Sequence, residues 1–312
     1  MSRIKSIKLI YFILIISFSC SYDMDDRVPQ QMFPEEETIE EGQFVDEQGS
    51  VYITGSTDCT GTGSYILDSN NLLEDLEIPD DLPIEMDLSE YLPPIGNQGR
   101  QGSCVSWSTT YYLKSLQKRQ STEPPYDEAT IMSPAYTYNQ ITEGICESTG
   151  ITSALSVLKS KGTVTLEEFP YFDDSCSIQP TEVQDILAEE NKILDFKALS
   201  RENMVNEIKT LINDGKPILI SVFLDSEFAK TDDLGLTAYR DHIVDFSIEG
   251  GCHAMLIVGY DNENNAFKVV NSWGENWGDD GFVWIDYIAF DNVADETADF
   301  RVISSAYVAF NE

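Results

Sequence analysis

The apolar pattern of the chain changes from a helical period to a strand period at Pro217. Helical spacing before this point predicts four helices: one from Cys104 up to Pro124, one that opens at Ser133-Pro134, and others at 151–158 and 200–213. Short apolar runs after it predict five strands, at 218–223, 254–260, 266–270, 281–285 and 306–310. A helical half followed by an antiparallel half predicts an α+β fold of two lobes, a helical lobe at about 83–197 and a β lobe at about 198–312.

The chain is strongly acidic. Its 312 residues include 55 aspartates and glutamates against 19 lysines and arginines, which gives a net charge of −36. Such a field repels nucleic acid and anionic lipid head groups, so nucleic acid is not expected as a partner. Solubility or adaptation to salt is the preferred explanation of the charge, and attraction of basic peptide substrates is the alternative, because total charge does not describe any one cleft.

The first residues have the pattern of a signal peptide. Three basic residues precede an apolar run at 9–18 that is too short for a permanent membrane span. Cys20 ends this region and resembles the lipid-bearing cysteine of bacterial lipoproteins. We therefore expect a signal peptide at 1–19 and a lipid anchor in a membrane at Cys20, with ordinary secretion as the alternative. The protein would be an exported outer-membrane or cell-surface lipoprotein, or otherwise periplasmic or secreted.

Residues 20–82 are expected to be an acidic tether and a possible short propeptide. Residues 21–50 contain many acidic and few aliphatic residues, which predicts a disordered segment. Residues 51–82 alternate weakly and then become rich in glycine, threonine and serine. One hypothesis is that this second part occupies a cleft of the folded domain until it is cut.

Cys104 is the candidate nucleophile. It stands at the start of a predicted helix, where free backbone N–H groups and the helix dipole favour a thiolate. The alternative is a small buried hydrophobic residue, as most free cysteines are. That alternative leaves the glycine-rich approach from Gln98 to Ser103 unexplained.

His253 and Asn271 are the candidate base and its orienting group. The chain has two histidines, and His253 opens an apolar strand, whereas His242 lies among polar residues in a predicted loop. The side-chain carbonyl of Asn271 can accept the imidazole N–H and so fix the tautomer that faces the sulfur. Trp273, two residues later, could shield this hydrogen bond from water.

Gln98 is the candidate oxyanion donor. It precedes Cys104 by six residues on an approach in which glycines let the backbone fold back. Its side-chain N–H and the Cys104 backbone N–H would form the two donors of an oxyanion hole.

These residues resemble the papain family of cysteine peptidases. The resemblance rests on Gly102-Ser103-Cys104 with Gln98, on Cys252-His253-Ala254, and on Asn271-Ser272-Trp273-Gly274. The 149 residues from Cys104 to His253 also fit the family's usual separation of about 130–150. The resemblance covers about residue 82 to the C-terminus.

The resemblance implies a papain-like fold, in which an active cleft separates the helical left lobe from an antiparallel, β-barrel-like right lobe. It implies hydrolysis of peptide bonds through an acyl-thioester on the nucleophile. Gly150, Cys252 and Trp273 are then the candidates for substrate contact. Two departures are Gln101, where the family usually has a cysteine, and Val105, where it usually has tryptophan.

We therefore predict a cysteine peptidase that acts on protein or peptide substrates. The runner-up is a non-catalytic member of the fold that binds peptides or glycans, and a third possibility is the same chemistry on another acyl donor. No cofactor is expected, and two histidines, one of them catalytic, argue against a zinc site. Cys146 with Cys176 is a plausible disulfide in an oxidising compartment, but the sequence does not fix the pairing among Cys59, Cys146, Cys176 and Cys252. The oligomeric state also stays open.

Overall fold

A computed structural model describes residues 42–59, 71–122, 125–200, 202–240, 251–291 and 302–311. All of them belong to the unit formed by residues 39–312. In these ranges no helix has both the length and the apolar character needed to cross a membrane. The predicted signal peptide, the lipid-anchor candidate Cys20 and the loop histidine His242 lie outside the described residues.

A long buried helix runs through the helical half. It consists of α1 (Cys104–Ser106), a π-helical segment (Trp107–Lys114) and α2 (Ser115–Thr122), and every residue of the first two segments is buried. The remaining helices are α3 (Pro134–Thr142), α4 (Ile151–Ser160), α5 (Glu182–Ala188), α6 (Met204–Asn213) and α7 (Ile288–Asp291). The four predicted helices are therefore confirmed.

Local sequence explains where two of these helices begin and end. The Ser133 side chain accepts the Tyr136 N–H, and Pro134 occupies the first helical position, so α3 starts with a side-chain cap. Gly162 follows α4 with a φ of +83°, and a Cβ there would lie 1.9 Å from the carbonyl oxygen of Ala188. Only glycine fits this turn, which lets the chain leave α4 close to α5.

A nine-stranded sheet forms the other half. Its order is β4–β11–β5–β8–β9–β10–β7–β6, with β3 paired to β8, and every pairing is antiparallel except β7 with β10. The strands are β3 (Glu85–Asp87), β4 (Asp195–Ala198), β5 (Ile218–Leu224), β6 (Lys230–Thr231), β7 (Thr237–Tyr239), β8 (Gly251–Asp261), β9 (Ala266–Val270), β10 (Phe282–Asp286) and β11 (Ile303–Phe310). The five predicted strands are present and the α+β fold class is confirmed. Strand β3 and nearly all of β4 lie within the predicted helical lobe at about 83–197, so the sheet also draws on that segment.

The register of the central strands fixes the position of two candidate residues. In the pair β5–β8, Val222 lies opposite His253, and in the pair β8–β9, Leu256 lies opposite Val270. Asn271 directly follows β9, so the register continued by one residue places it opposite Met255, two residues from His253 and on the same face of β8. Strand β8 is buried along nearly its whole length, which makes this part of the sheet a rigid support.

A second, two-stranded sheet forms near the N-terminus. Strand β1 (Gln43–Val45) pairs antiparallel with β2 (Val51–Ile53), and the side chain of Phe44 is only 4% exposed. The prediction of disorder for residues 21–50 is therefore wrong for residues 42–50. Composition alone favoured disorder, but the apolar side chains of this hairpin find aromatic partners on the folded domain, which offsets the entropy of ordering them.

The folded body also includes residues upstream of the predicted boundary near residue 82. The Leu73 N–H donates to the Ala198 carbonyl at 2.8 Å, and the Asn71 side chain donates to the Phe196 carbonyl at 2.8 Å. Residues 71–73 thus pair along β4 as an extension of the sheet edge.

Candidate active site

Cys104 begins the buried helix and is completely shielded from solvent. Its Sγ accepts the backbone N–H of Ala254 at 3.4 Å, so the sulfur lies beside the residue that follows His253. The approach to the helix is held by the Tyr171 hydroxyl, which donates to the Gln98 carbonyl at 2.7 Å and contacts the Ser103 hydroxyl at 2.7 Å. The predicted position of Cys104 at a helix start is confirmed.

His253 and Asn271 form the hydrogen bond that was predicted for a base and its orienting group. The His253 Nε2 lies 2.7 Å from the Asn271 Oδ1, and the amide oxygen can only accept, so Nε2 carries the proton. The other ring nitrogen, Nδ1, is buried and has no hydrogen-bond partner among the described residues. The Trp273 ring stacks on the imidazole at a centroid distance of 4.5 Å and covers this hydrogen bond. The tautomer therefore leaves Nδ1 as a free proton acceptor.

Both titratable groups are held neutral in this structure. Burial raises the pKa of the Cys104 thiol to about 12, although the Ala254 N–H partly opposes the shift. Burial lowers the pKa of the His253 imidazole to about 4, against the opposing hydrogen bond to Asn271. Desolvation disfavours any charged form, so at neutral pH the pair holds a thiol and a neutral imidazole.

Gln98 is fully buried and its side-chain amide is fixed at both ends. The amide oxygen accepts the Ser272 hydroxyl at 2.6 Å. The Nε2 donates to the Gln101 carbonyl at 2.9 Å and to the Ile53 carbonyl at 3.0 Å. The predicted oxyanion donor is therefore already occupied by a carbonyl from the N-terminal part of the same chain.

The chain from β1 onward lies across these residues, and we call residues 43–59 the N-terminal cover. The Gly55 and Ser56 N–H groups donate to the Cys252 carbonyl at 3.2 and 3.0 Å. On the other side, the Thr149 N–H donates to the Gly55 carbonyl at 3.0 Å and the Thr149 carbonyl accepts the Thr57 N–H at 2.9 Å. The cover is thus hydrogen-bonded to both walls of a cleft that has Cys104 at its base.

Aromatic stacking holds the first part of the cover. Tyr52 and Phe44 stack on Trp273 at centroid distances of 4.8 and 5.5 Å. The indole Nε1 of Trp273 donates to the Ile53 carbonyl at 3.0 Å. Trp273 therefore contacts both the aromatic side chains of the cover and the His253 imidazole.

A disulfide bond ties the last part of the cover to the catalytic domain. It joins Cys59 to Cys252, across 193 residues, and Cys252 directly precedes the base candidate His253. The second disulfide, Cys146–Cys176, is the pair suggested by the sequence. Within the described ranges Cys104 is the one free cysteine.

At Gly55 the cover passes close to the backbone of Gly102, on the approach to Cys104. A Cβ on this residue would lie 2.2 Å from the Gly102 carbonyl oxygen and 2.4 Å from the Gly102 Cα. Two glycine backbones therefore pass each other within van der Waals contact, two residues before Cys104. No larger residue fits at Gly55 without displacing backbone, whereas a Cβ on Gly102 would lie 3.2 Å from the Thr54 carbonyl oxygen.

The candidates for substrate contact are placed differently by the structure. Trp273 and the Cys252 carbonyl face the cover. Gly150 instead caps α4 with its backbone and lies against Asp58, while the backbone pairing expected of it is made by Thr149. Thr149 could not be identified from the sequence, because it contributes backbone groups, which every residue has. The prediction of Gly150, its neighbour, identified the correct segment but not the correct residue.

Comparison with known proteins is consistent with this geometry. The family model described as "Papain family cysteine protease" matches residues 82–296. Cathepsin K of Mus musculus is 26% identical over 198 residues, which cover 62% of this chain and 55% of cathepsin K. A viral cathepsin of the Cydia pomonella granulosis virus is 30% identical over 197 residues, or 61% of this chain and 52% of the viral protein. The chain spans about half the length of these two relatives.

Solved structures show the same fold. Xylellain, a cysteine protease from Xylella fastidiosa, superposes with a TM-score of 0.63 at 20% identity and covers 84% of this chain and 100% of its own. The cysteine protease CMS1MS2 of Carica candamarcensis superposes with a TM-score of 0.53 at 19% identity, covering 74% of this chain and 100% of its own. Because the family model matches well over half of the sequence, the chain belongs to the papain family of cysteine proteases.

Proposed function

We propose that this protein is a cysteine peptidase that cleaves peptide bonds through an acyl-thioester on Cys104. The observation that carries the proposal is the hydrogen bond between His253 Nε2 and Asn271 Oδ1, which leaves Nδ1 unpaired while Ala254, the next residue, touches the sulfur. His253 is the base, Asn271 is its orienting group and Gln98 is the oxyanion donor in this proposal.

The reaction follows from these roles. Proton transfer from the Cys104 thiol to His253 Nδ1 yields a thiolate, which attacks the substrate carbonyl carbon. The Gln98 Nε2–H and the Cys104 backbone N–H then stabilise the oxyanion, and the imidazolium returns its proton to the leaving amine. Water, deprotonated by the same imidazole, hydrolyses the acyl-thioester and restores the thiol.

The N-terminal cover keeps this chemistry latent, since it takes up the groups that a substrate would need. The Ile53 carbonyl accepts the Gln98 Nε2–H, and the Cys252 carbonyl and Thr149 backbone are paired with residues 55–57. Burial under the cover also opposes formation of the thiolate and imidazolium, whose pKa values are shifted away from each other. Displacement of the cover would reverse both effects at once.

Export and lipid attachment are a further part of the proposal. The basic residues, the apolar run at 9–18 and Cys20 support a signal peptide and a lipid anchor. The two disulfide bonds of the described chain support residence in an oxidising compartment outside the cytoplasm. Mass spectrometry of the membrane-bound protein tests this, since a free Cys20 in the mature protein would refute the anchor.

Hydrolysis of a mixed fluorogenic peptide library tests the peptidase. The chain from Ser21 should turn over peptides under reducing conditions, and more so a chain that starts at Asn71 and lacks the cover. Cys104→Ala should abolish turnover in both, while Cys146→Ser, in the disulfide that does not join the cover, should leave it intact. If the shortened chain is folded, binds peptides and cleaves none of them, a non-catalytic peptide-binding protein replaces the peptidase.

A further inference from the structure

The cover places two polar side chains on a single buried serine of the catalytic domain. The Ser56 hydroxyl lies 2.9 Å from the Ser221 hydroxyl, and the Ser221 hydroxyl donates to the Asp58 Oδ2 at 3.4 Å. The Asp58 Oδ2 also accepts the backbone N–H of Ile151 at 2.8 Å. An acidic side chain is thus bound inside the cleft, although the protein as a whole is strongly acidic.

Ser221 belongs to a row of small residues beside the nucleophile. In the sheet register Ser221 lies opposite Ala254 on β8 and opposite Ser305 on β11, so the three side chains share one face. All three are at most 1% exposed, and the Ala254 N–H contacts the Cys104 sulfur. The Ser305 hydroxyl has no hydrogen-bond partner among the described residues. This row offers two hydroxyl groups and no bulky side chain to fill the space that the cover now occupies.

The first turn of α4 adds a backbone donor to this row. Gly150 is the residue before the helix and has no side chain to cap it, and the Asp58 carboxylate takes this role by accepting the Ile151 N–H. Helix α4 is ten residues long, so its dipole favours an anion at this end. Burial raises the pKa of the Asp58 carboxyl, and its hydrogen bonds to Ile151 and Ser221 act against that shift.

We propose that Ser221, Ser305, Ala254 and the Ile151 N–H form a polar pocket that selects substrates with an acidic side chain close to the scissile bond. The inference rests on the proposed peptidase function and names its substrate class. When the cover leaves, Asp58 leaves with it, and the Ile151 N–H and Ser221 hydroxyl lose their acceptor. A carboxylate of the substrate restores those hydrogen bonds, whereas an aliphatic side chain leaves buried donors unpaired.

A positional peptide library tests the pocket. The reduced full chain and its Gly55→Ala variant, in which the cover cannot sit against Gly102, would be given peptides with Asp, Glu, Leu or Arg at each of three positions on either side of the cut. We expect one position at which Asp or Glu raises kcat/KM at least about tenfold over Leu. Ser221→Val should remove this preference and favour Leu, while Ser156→Val, on the exposed side of α4, should not.

A second readout separates this pocket from the catalytic proposal. The same peptides at saturating concentration should protect Cys104 from alkylation by iodoacetamide, and acidic peptides should protect best. Selective protection by acidic peptides without any cleavage would refute the peptidase and leave the pocket standing. A preference for Leu or Arg in both readouts, no protection by any peptide, or an acidic preference that survives Ser221→Val would overturn the pocket.

Discussion

Replacing Gly55 by alanine should lift the N-terminal cover from the cleft. The added methyl group would lie 2.2 Å from the Gly102 carbonyl oxygen and 2.3 Å from its carbon, where real Cβ atoms keep at least 3.0 Å. The obstacle is backbone rather than a flexible side chain. Gly102 cannot retreat without moving Ser103, whose hydroxyl is bonded to Tyr171, and with it the start of the Cys104 helix.

The size of the effect follows from the contacts that must break. Four backbone hydrogen bonds connect residues 55–57 to Cys252 and Thr149. At about 1 kcal/mol each they contribute about 4 kcal/mol, or about a 1000-fold change in the fraction of molecules with an open cleft. Opening also removes part of the burial that raises the pKa of the Cys104 thiol to about 12, so the thiolate fraction at neutral pH rises.

Alkylation of Cys104 by iodoacetamide at pH 7.5, followed by mass spectrometry, measures both effects without requiring catalysis. Gly55→Ala should react at least about 100-fold faster than the unchanged chain, because the aromatic stack and the disulfide hold part of the cover in place. Thr57→Ala is the matched control, since its side chain is exposed and its backbone bonds stay intact. A Gly55→Ala protein that folds normally yet reacts at the rate of the unchanged chain would refute the account of the cover.

Three further predictions concern the Cys59–Cys252 disulfide, the orientation of the His253 ring by Asn271, and the pKa of His253. Cys59→Ser, which removes the link to the catalytic domain, should raise the alkylation rate of Cys104 under non-reducing conditions, whereas Cys146→Ser should not. Asn271→Ala should lower kcat by about 10- to 100-fold in the reduced enzyme with little change in KM, because the base loses its fixed tautomer. Burial lowers the pKa of His253 to about 4, below its ordinary 6.5, so the covered state is favoured above pH 6.5 and loses up to about 3 kcal/mol as pH falls to 4. The free energy of unfolding, measured by urea titration at pH 7 and at pH 4.5, checks this prediction. His253→Gln should lose less of this free energy between the two pH values than the unchanged chain, and equal losses would contradict the prediction.

The positions of the candidate catalytic residues could be predicted because short stretches of sequence determine them. Cys104 follows a glycine-rich approach and precedes a long helical pattern, so its place at a helix start is a local property. His253 lies near the start of β8 and Asn271 directly follows β9, and adjacent antiparallel strands joined by a short turn bring such positions close together. The orientation of the Gln98 side-chain amide could not be predicted from the local sequence, because Ser272, far along the chain, holds the amide oxygen.

The hypothesis that residues 51–82 occupy a cleft agrees with the position of residues 53–59, but the hairpin of β1 and β2 could not be predicted because its stability comes from long-range contacts. Composition favours disorder for residues 21–50, and a local pattern does not reveal that Phe44 and Tyr52 will stack on Trp273. The pairing of Cys59 with Cys252 spans 193 residues and depends on that same docking. Backbone groups such as those of Thr149 are available at every residue, so only the folded structure distinguishes the ones that are used.

The cover and a substrate compete for the same groups, and the competition is unequal. Gln98 Nε2, the Cys252 carbonyl and the Thr149 backbone all bind the cover, which belongs to the same chain and is tied by a disulfide. A tethered segment acts at an effective concentration of about a millimolar or more, so a free peptide with similar contacts displaces little of it. Substrate alone is therefore not expected to activate the enzyme. Activation has to weaken the cover itself, by reduction of Cys59–Cys252, by protonation of the buried histidine or by removal of the segment, and the peptidase then gains its nucleophile and its binding groups in a single step.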